Sequence, residues 1–248
     1  MNSLDLALSW ANGAECAILC RWGGSCSNAA RELFKRRVPY FVERGPCGPL
    51  QQPKLMDAVK ALAGLQSDGR LTYAGLSLIV GYRTGHRRGL KTAIRQQPQD
   101  ARVTDGFLAD WGLLDEVQKW ARATGPGRYA AIANEPAERM VYLGAVLDDA
   151  GELAAHPVVV TTMHAAKGRE WDVVIVDDQL PFPSVQALDD GDEDEHRVAY
   201  VAVTRARRGL CVLTARTLAN GAGRYRYPIP RAGIGDRRKA HSAFGEGA

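Results

Sequence analysis

Two polar motifs carry the residue types in this sequence that are best suited to chemistry. The first, TMHAAKGREW at residues 162–171, directly follows an apolar run that is predicted to be a buried strand. Polar turns after such strands lie at the carboxyl edge of an open α/β sheet, where ligands bind. The second, YVAVTRARR at residues 200–208, is predicted to lie on a helix that follows an acidic stretch. Its guanidinium groups are suited to neutralising charge on phosphate oxygens through directed hydrogen bonds.

The elements that must position these motifs alternate between strand and helix. The strands are predicted at Cys16–Cys20, Val38–Val42, Val158–Thr162, Asp172–Asp177 and Leu210–Thr214, and the helices at Ser25–Arg37 and from the acidic stretch through Arg207. Strands that alternate with helices are typical of a parallel sheet with crossover connections. The predicted fold class is therefore α/β, with helices flanking a parallel sheet.

A helical segment of about a hundred residues interrupts this pattern. From about residue 53 to residue 153, apolar residues recur at helical spacing, as in Leu55, Val59, Leu62 and Leu65. We therefore expect a discontinuous α/β domain at residues 1–45 and 157–215. An all-helical insertion is expected at 46–156, and a basic, flexible tail at 216–248.

Composition and charge exclude several classes of protein. Of the 248 residues, 46% are hydrophobic and 24% are charged, and no segment is long and apolar enough to predict a membrane span. The net charge is +4, but residues 216–248 alone hold seven basic and two acidic residues, so the rest of the chain sums to minus one. The five scattered cysteines contain no CxxC pair. We expect reduced thiols, no metal site, no membrane partner and a cytoplasmic location.

The two motifs resemble motifs V and VI of superfamily 1A helicases, the UvrD/PcrA/Rep family. A third segment agrees: Leu19-Cys20-Arg21, followed by Pro39-Tyr40, is similar to motif IV of that family and the helix after it. The resemblance implies that the α/β part is the second RecA-like domain, called 2A. The helical segment then occupies the place of the family's 2B subdomain.

The resemblance also implies roles for individual residues. Arg21 and Arg205 would reach the γ-phosphate of ATP, Gly168 and Glu170 would contact the nucleotide with Glu170 on the ribose, and Thr162 and His164 would lie near single-stranded DNA. The implied cofactor is ATP with Mg²⁺, and the implied partners are DNA and an N-terminal RecA-like domain. The family activity is 3′–5′ DNA unwinding driven by ATP hydrolysis.

Departures from the family pattern limit what the chain is expected to do alone. The sequence has no Gly-Lys dipeptide and hence no GxxxxGK[ST] loop to cradle the β-phosphate. The run from Val173 to Asp178 imitates a Walker B strand, but its place after motif V makes it an ordinary sheet strand in this family. Cys20 replaces the aromatic residue that stacks on adenine. We therefore expect no ATP hydrolysis by this chain alone and assign Mg²⁺ mainly to the N-terminal domain.

Two questions stay open at the level of sequence. The insertion has a cluster of basic residues without an intervening acid: Arg83, His86, Arg87, Arg88, Lys91 and Arg95. Within this cluster Arg87, Arg88 and Lys91 are candidates for contacts with duplex phosphates, and the alternative is a solvated helix face. The whole chain is either part of a helicase or a non-enzymatic nucleic-acid-binding or regulatory module that kept the fold.

Overall fold

The chain forms two compact units. The computed structural model describes residues 3–11, 13–82, 88–125, 128–129, 131–132, 137–148, 156–177, 184, 186–187 and 193–213. Unit 1 comprises Met1–Gly48 with Ala150–Ala248, and unit 2 is Pro49–Asp149. Among the helices of these ranges, none has the length and apolar character needed to cross a membrane.

Unit 1 is built on a five-stranded parallel sheet, which confirms the predicted fold class. Its elements in chain order are α1 (Ser3–Trp10), β1 (Cys16–Cys20), α2 (Gly23–Lys35), β2 (Tyr40–Val42), β3 (Val158–Thr162), β4 (Trp171–Asp177), α9 (Glu193–Val203) and β5 (Ala206–Leu213). The strand order is β2-β3-β1-β4-β5, and every pairing is parallel. The carboxyl ends of all strands therefore lie at one edge of the sheet.

Strand β1 occupies the centre of the sheet. It pairs with β3 through Cys20 and Thr162 and with β4 through Leu19 and Val176. All five of its residues are buried. A strand covered on both faces needs apolar side chains at every position, which is why its sequence is a continuous run rather than an alternating pattern.

Helix α9 ends earlier than the sequence predicted. We expected a helix through Arg207 and a strand at Leu210–Thr214, but α9 ends at Val203 and β5 already begins at Ala206. The backbone N–H of Trp171 donates to the carbonyl of Arg205, and the Arg207 guanidinium pairs with Glu15. These contacts with distant residues start the strand early, so Arg205 lies in a turn and not on a helix.

Unit 2 is helical throughout its described part, as predicted for the insertion. Its elements are the 3₁₀ turn Pro49–Gln51 and the helices α3 (Pro53–Asp68), α4 (Tyr73–Gly81), α5 (Leu90–Arg95), α6 (Asp105–Asp110), α7 (Leu114–Arg122) and α8 (Ala137–Asp148). The residues Leu55, Val59, Leu62 and Leu65 of α3 are buried, as their spacing requires. Threonine side chains at Thr72 and Thr104 accept hydrogen bonds from the first turns of α4 and α6.

Candidate functional site

The carboxyl ends of β1 and β3 bring two predicted site segments side by side. Cys20 and Thr162 are partners in the parallel register, and the N–H of Met163 donates to the carbonyl of Cys20 at 2.8 Å. Arg21 follows β1 at this edge, and the turn of residues 163–168 follows β3. The polar groups after both strands thus gather at the edge where ligands of open α/β sheets bind.

Arg21 is held by a carboxylate from the start of α9. Its Nε donates to Glu195 Oε2 at 2.9 Å, and its Nη2 donates to Glu195 Oε1 at 2.6 Å. The Arg21 side chain is 22% exposed and that of Glu195 is 7% exposed. The third nitrogen, Nη1, lies 3.5 Å from Nδ1 of His164. The structure therefore unites two predicted site residues, Arg21 and His164, around a bidentate ion pair.

Glu195 is a residue of this site that sequence reasoning missed. It belongs to the acidic stretch at the start of α9, yet Glu195 is only 5% exposed. Its neighbours Glu193 and Asp194 do remain exposed. A signal was present in the spacing, because Glu195 precedes the buried Ala199 and Ala202 by four and seven residues, which places it on the buried face of α9.

The turn after β3 folds back against the core. The Thr162 hydroxyl accepts a hydrogen bond from the N–H of Ala165 at 3.3 Å, while Met163 and Ala166 are fully buried in the core of unit 1. Gly168 has φ +80°, a conformation that side chains with a Cβ rarely adopt. The family's Lys-Gly pair is therefore used here as a turn that exposes His164 and returns the chain to β4.

Arg169, which follows Gly168 in this turn, has a structural role. Its Nη1 donates to both carboxylate oxygens of Glu43, at 2.6 and 2.7 Å. Its guanidinium carbon lies 4.6 Å from the centre of the Trp171 ring, within the range of a cation–π contact. Arg169 therefore ties the turn to the loop that follows β2.

Arg205 and Glu170 flank the beginnings of β5 and β4, at the opposite end of the sheet. Arg205 donates from Nε to the Val201 carbonyl at 2.9 Å and from Nη1 to the Arg169 carbonyl at 3.3 Å. Glu170 is exposed directly before β4. Helix α9 has eleven residues, a rise of about 16 Å, and it carries Glu195 near its start while Arg205 lies in the turn after its end. The predicted site residues thus form two groups, at the two ends of α9.

Cys20 cannot replace the aromatic residue that the family carries at its position. Its side chain is fully buried, against Cys26 at the start of α2. A hydrogen bond with Cys26, together with burial, holds the pKa of Cys20 well above its usual range, and the same bond lowers the pKa of Cys26. Cys20 is therefore a protonated, inaccessible thiol that contributes packing and no stacking surface.

The predicted basic candidates of unit 2 are exposed where the structure describes them. Arg88 precedes α5 and Lys91 lies on it, both on the surface, while Leu90 and Ile94 of that helix are buried. Arg87 lies outside the described residues, as do Arg83 and His86. Within the described ranges, no three His, Cys, Asp or Glu side chains are grouped so that they could hold a metal ion.

Comparison with known proteins matches the same segments. Residues 139–217 match the model of the UvrD-like helicase C-terminal domain. This range contains the turn after β3, the whole of α9 and Arg205, and its match confirms the resemblance stated from the motifs.

Individual relatives agree with the family match. The ATP-dependent DNA helicase UvrD1 of Mycobacterium tuberculosis (strain ATCC 25618 / H37Rv) is 33% identical over 183 residues, covering 64% of this chain and 22% of UvrD1. UvrD2 of Mycobacterium tuberculosis (strain CDC 1551 / Oshkosh) is 30% identical over 190 residues, covering 64% of this chain and 27% of UvrD2. A probable DNA helicase II homolog of Rickettsia conorii is 42% identical over 66 residues, covering 24% of this chain and 10% of the homolog. The chain therefore spans about a tenth to about a quarter of the length of these relatives.

Proposed function

Because the chain is similar to the C-terminal region of UvrD-type DNA helicases, we propose that it is the second motor domain of an ATP-dependent DNA helicase with 3′–5′ polarity. In this proposal ATP lies between unit 1 and an N-terminal RecA-like domain, in cis or in trans, that supplies the P-loop and most Mg²⁺ contacts. Unit 1 corresponds to domain 2A and unit 2 to a reduced 2B. The observation that carries the proposal is the family match over the segment that also holds Glu195, the buried partner of Arg21.

The proposed roles follow from the chemistry of phosphoryl transfer. Negative charge spreads over the γ-phosphate oxygens in the transition state, and guanidinium groups neutralise it with directed donors. We assign Arg21 and Arg205 to this task, and Gly168 and Glu170 to the nucleotide. Because the two arginines lie at opposite ends of α9, ATP binding would have to bring them closer together for both to reach one phosphate. Arg205 now donates to two carbonyls, so a phosphate would have to replace or extend these bonds. The arrival of ATP would then be coupled to a local rearrangement at the end of α9.

Glu195 is assigned a positioning role in the same reaction. It occupies the Nε and Nη2 edge of the Arg21 guanidinium and leaves Nη1 on the side of His164. A guanidinium fixed along one edge keeps a defined direction for its remaining donors, which lowers the cost of orienting it at a phosphate. Thr162 and His164, at the same sheet edge, are the proposed contacts with single-stranded DNA.

Reconstitution tests the proposal. The purified chain should hydrolyse no ATP above background, because it has no P-loop. Mixed with the P-loop-bearing N-terminal half of a UvrD-type helicase, it should give ATP hydrolysis that single-stranded DNA stimulates. Phosphate release is measured for each half, for the mixture, and for a mixture without DNA. Steady hydrolysis by the chain alone that Arg205→Ala abolishes would contradict the assignment of the P-loop to a partner.

One observation favours a second candidate function. The buried Cys20 offers no stacking surface for adenine, as expected if the chain has lost the motor and acts as a nucleic-acid-binding or regulatory module. Mixing the chain with the P-loop-bearing N-terminal half distinguishes the two functions. If the halves bind each other in analytical ultracentrifugation but no hydrolysis follows, the module is supported. The ion pair of Arg21 favours the helicase motor over the module, because a binding module has no need of an oriented γ-phosphate arginine.

We expect the exposed basic residues of unit 2 to contribute to duplex DNA binding. In the double variant Arg88→Ala with Lys91→Ala, duplex affinity should fall, and the slope of log affinity against log salt should decrease by about two, because each phosphate contact releases roughly one counterion. Fluorescence anisotropy over a salt series measures this slope. The control is Lys54→Ala with Lys60→Ala, which removes the same charge from exposed positions on α3. Equal slopes for the two double variants would indicate that Arg88 and Lys91 form only a solvated face.

A further inference from the structure

Trp22 presents an indole ring at the carboxyl edge of the sheet. It directly follows Arg21 and is the N-cap residue of α2. It remains 45% exposed, although tryptophan is usually well covered in folded proteins. An exposed tryptophan beside a group of polar site residues therefore calls for a functional explanation.

The glycine two residues later leaves room for the ring to lie against the helix backbone. A Cβ built on Gly24 would overlap three atoms of the six-membered ring of Trp22, so the indole lies flat against the backbone of the first turn of α2. A Cβ on Gly23 would meet nothing within 4 Å. Of the two glycines, only Gly24 is therefore needed for the ring to lie against the first turn of α2. One face of the indole rests on Gly24, and the exposed surface is available to a ligand.

The surroundings of this ring suit a nucleotide. Trp22 offers no side-chain acceptor to α2, so the amides of the first turn lack a side-chain cap, and uncapped helix N-termini favour phosphate groups. Arg21 and His164 lie at the same sheet edge. The buried Cys20 cannot stack on a base, which leaves the adjacent tryptophan as the aromatic surface of this segment.

We propose that the indole of Trp22, laid over Gly24, is a stacking platform for a nucleobase. The inference deepens the proposed function and rests on it. Every base has a π face, so the same surface accepts a base of single-stranded DNA or the adenine of ATP. Gly24 thereby has a defined role, because the absence of a side chain there makes room for the ring.

The test compares four variants of the full chain: Trp22→Ala, Trp22→Phe, Gly24→Ala and Gly23→Ala. Binding of a fluorescein-labelled oligothymidylate is measured by anisotropy, and binding of ATP by equilibrium dialysis, both with the P-loop-bearing N-terminal half present. Trp22→Ala should weaken binding about 5- to 100-fold, the range for loss of one base–aromatic stack. Trp22→Phe should retain most of the affinity. Gly24→Ala should reproduce the loss with the indole still present, because its methyl group displaces the ring, whereas Gly23→Ala should bind like wild type.

The two ligands identify the source of the base. A loss confined to the oligonucleotide assigns the platform to DNA, and a loss confined to ATP assigns it to adenine. An oligonucleotide with abasic sites should bind Trp22→Ala and wild type alike. Equal affinities of wild type and Trp22→Ala for both ligands would overturn the platform while leaving the proposed function intact. The platform would also be overturned if Trp22→Ala lost as much affinity for the abasic strand as for the intact oligonucleotide. If wild type, with the P-loop-bearing half present, binds neither ligand, the proposed nucleotide and DNA contacts fail together with the platform.

Discussion

In the reconstituted helicase, Arg205→Ala should lower the turnover number for ATP by about 10³-fold or more. Arginines that neutralise the γ-phosphate in the transition state are worth about 10³- to 10⁵-fold in rate. The Michaelis constant should change much less, because the interaction strengthens mainly as charge develops in the transition state. Steady-state phosphate release at saturating DNA measures both constants.

Helix α9, which ends just before Arg205, supplies a matched control for this prediction. Arg197 on α9 pairs with Glu193 and Asp194 at the surface, and its side chain is 69% exposed. Arg197→Ala should leave the turnover number within about two-fold, since surface ion pairs contribute little. Arg205→Lys keeps the charge but loses the planar donors and should remain strongly impaired. A turnover number for Arg205→Ala equal to that of Arg197→Ala would remove Arg205 from the reaction.

Glu195→Ala should lower the free energy of unfolding of unit 1 by about 2–3 kcal/mol. Removing one partner of a fully buried ion pair costs about 3–5 kcal/mol, and the 22% exposure of Arg21 lets water recover part of that loss. Urea unfolding followed by circular dichroism measures the change. Glu195→Gln, which keeps hydrogen-bonding oxygen and nitrogen atoms of similar shape, should lie between the alanine variant and wild type.

The control for this prediction is Glu193→Ala, two residues earlier on the same helix. Glu193 is exposed and pairs with the exposed Arg197, so its replacement should shift the free energy of unfolding by less than about 0.5 kcal/mol. The double variant Arg21→Ala with Glu195→Ala should be more stable than the sum of the single effects predicts, because it leaves neither charge without its partner. Additive effects would mean that the two side chains do not stabilise each other.

Strands β1 and β3 could be predicted from the sequence because each contains consecutive apolar residues: all five residues of β1, and Val158–Val160 of β3. Their observed bounds, Cys16–Cys20 and Val158–Thr162, equal the predicted ones. The end of α9 could not be predicted in the same way. The residues after Val203 include Arg205 and Arg207, whose types favour a helix, and contacts with Trp171 and Glu15 convert them into a turn and a strand. Such contacts join residues that are far apart along the chain, so the local sequence pattern does not reveal them.

Only part of the site could be predicted from the sequence, for a related reason. The motifs identify Arg21, His164 and Arg205 because each stands in a recognisable local pattern. Glu195 lies 174 residues from the arginine that it binds, so no local pattern joins the two. Trp22 stands in no such pattern, and only the position of its ring over Gly24 indicates what it contributes. The sequence therefore revealed the motif residues, and packing revealed the residues that support or extend them.

The pairing of β2 with β3 limits how unit 1 could be produced as a minimal domain. The two strands are adjacent and parallel, with Val42 level with Val160, so the chain leaves β2 at the carboxyl edge and must return to start β3 below it. Parallel neighbours need a crossover of about a dozen residues or more, whereas a two-residue turn joins only antiparallel strands. An engineered deletion of residues 49–149 would leave residues 43–48 and 150–157 between the two strands, which is about the minimum length for such a crossover. Unit 2 is in this sense an elaborated crossover connection.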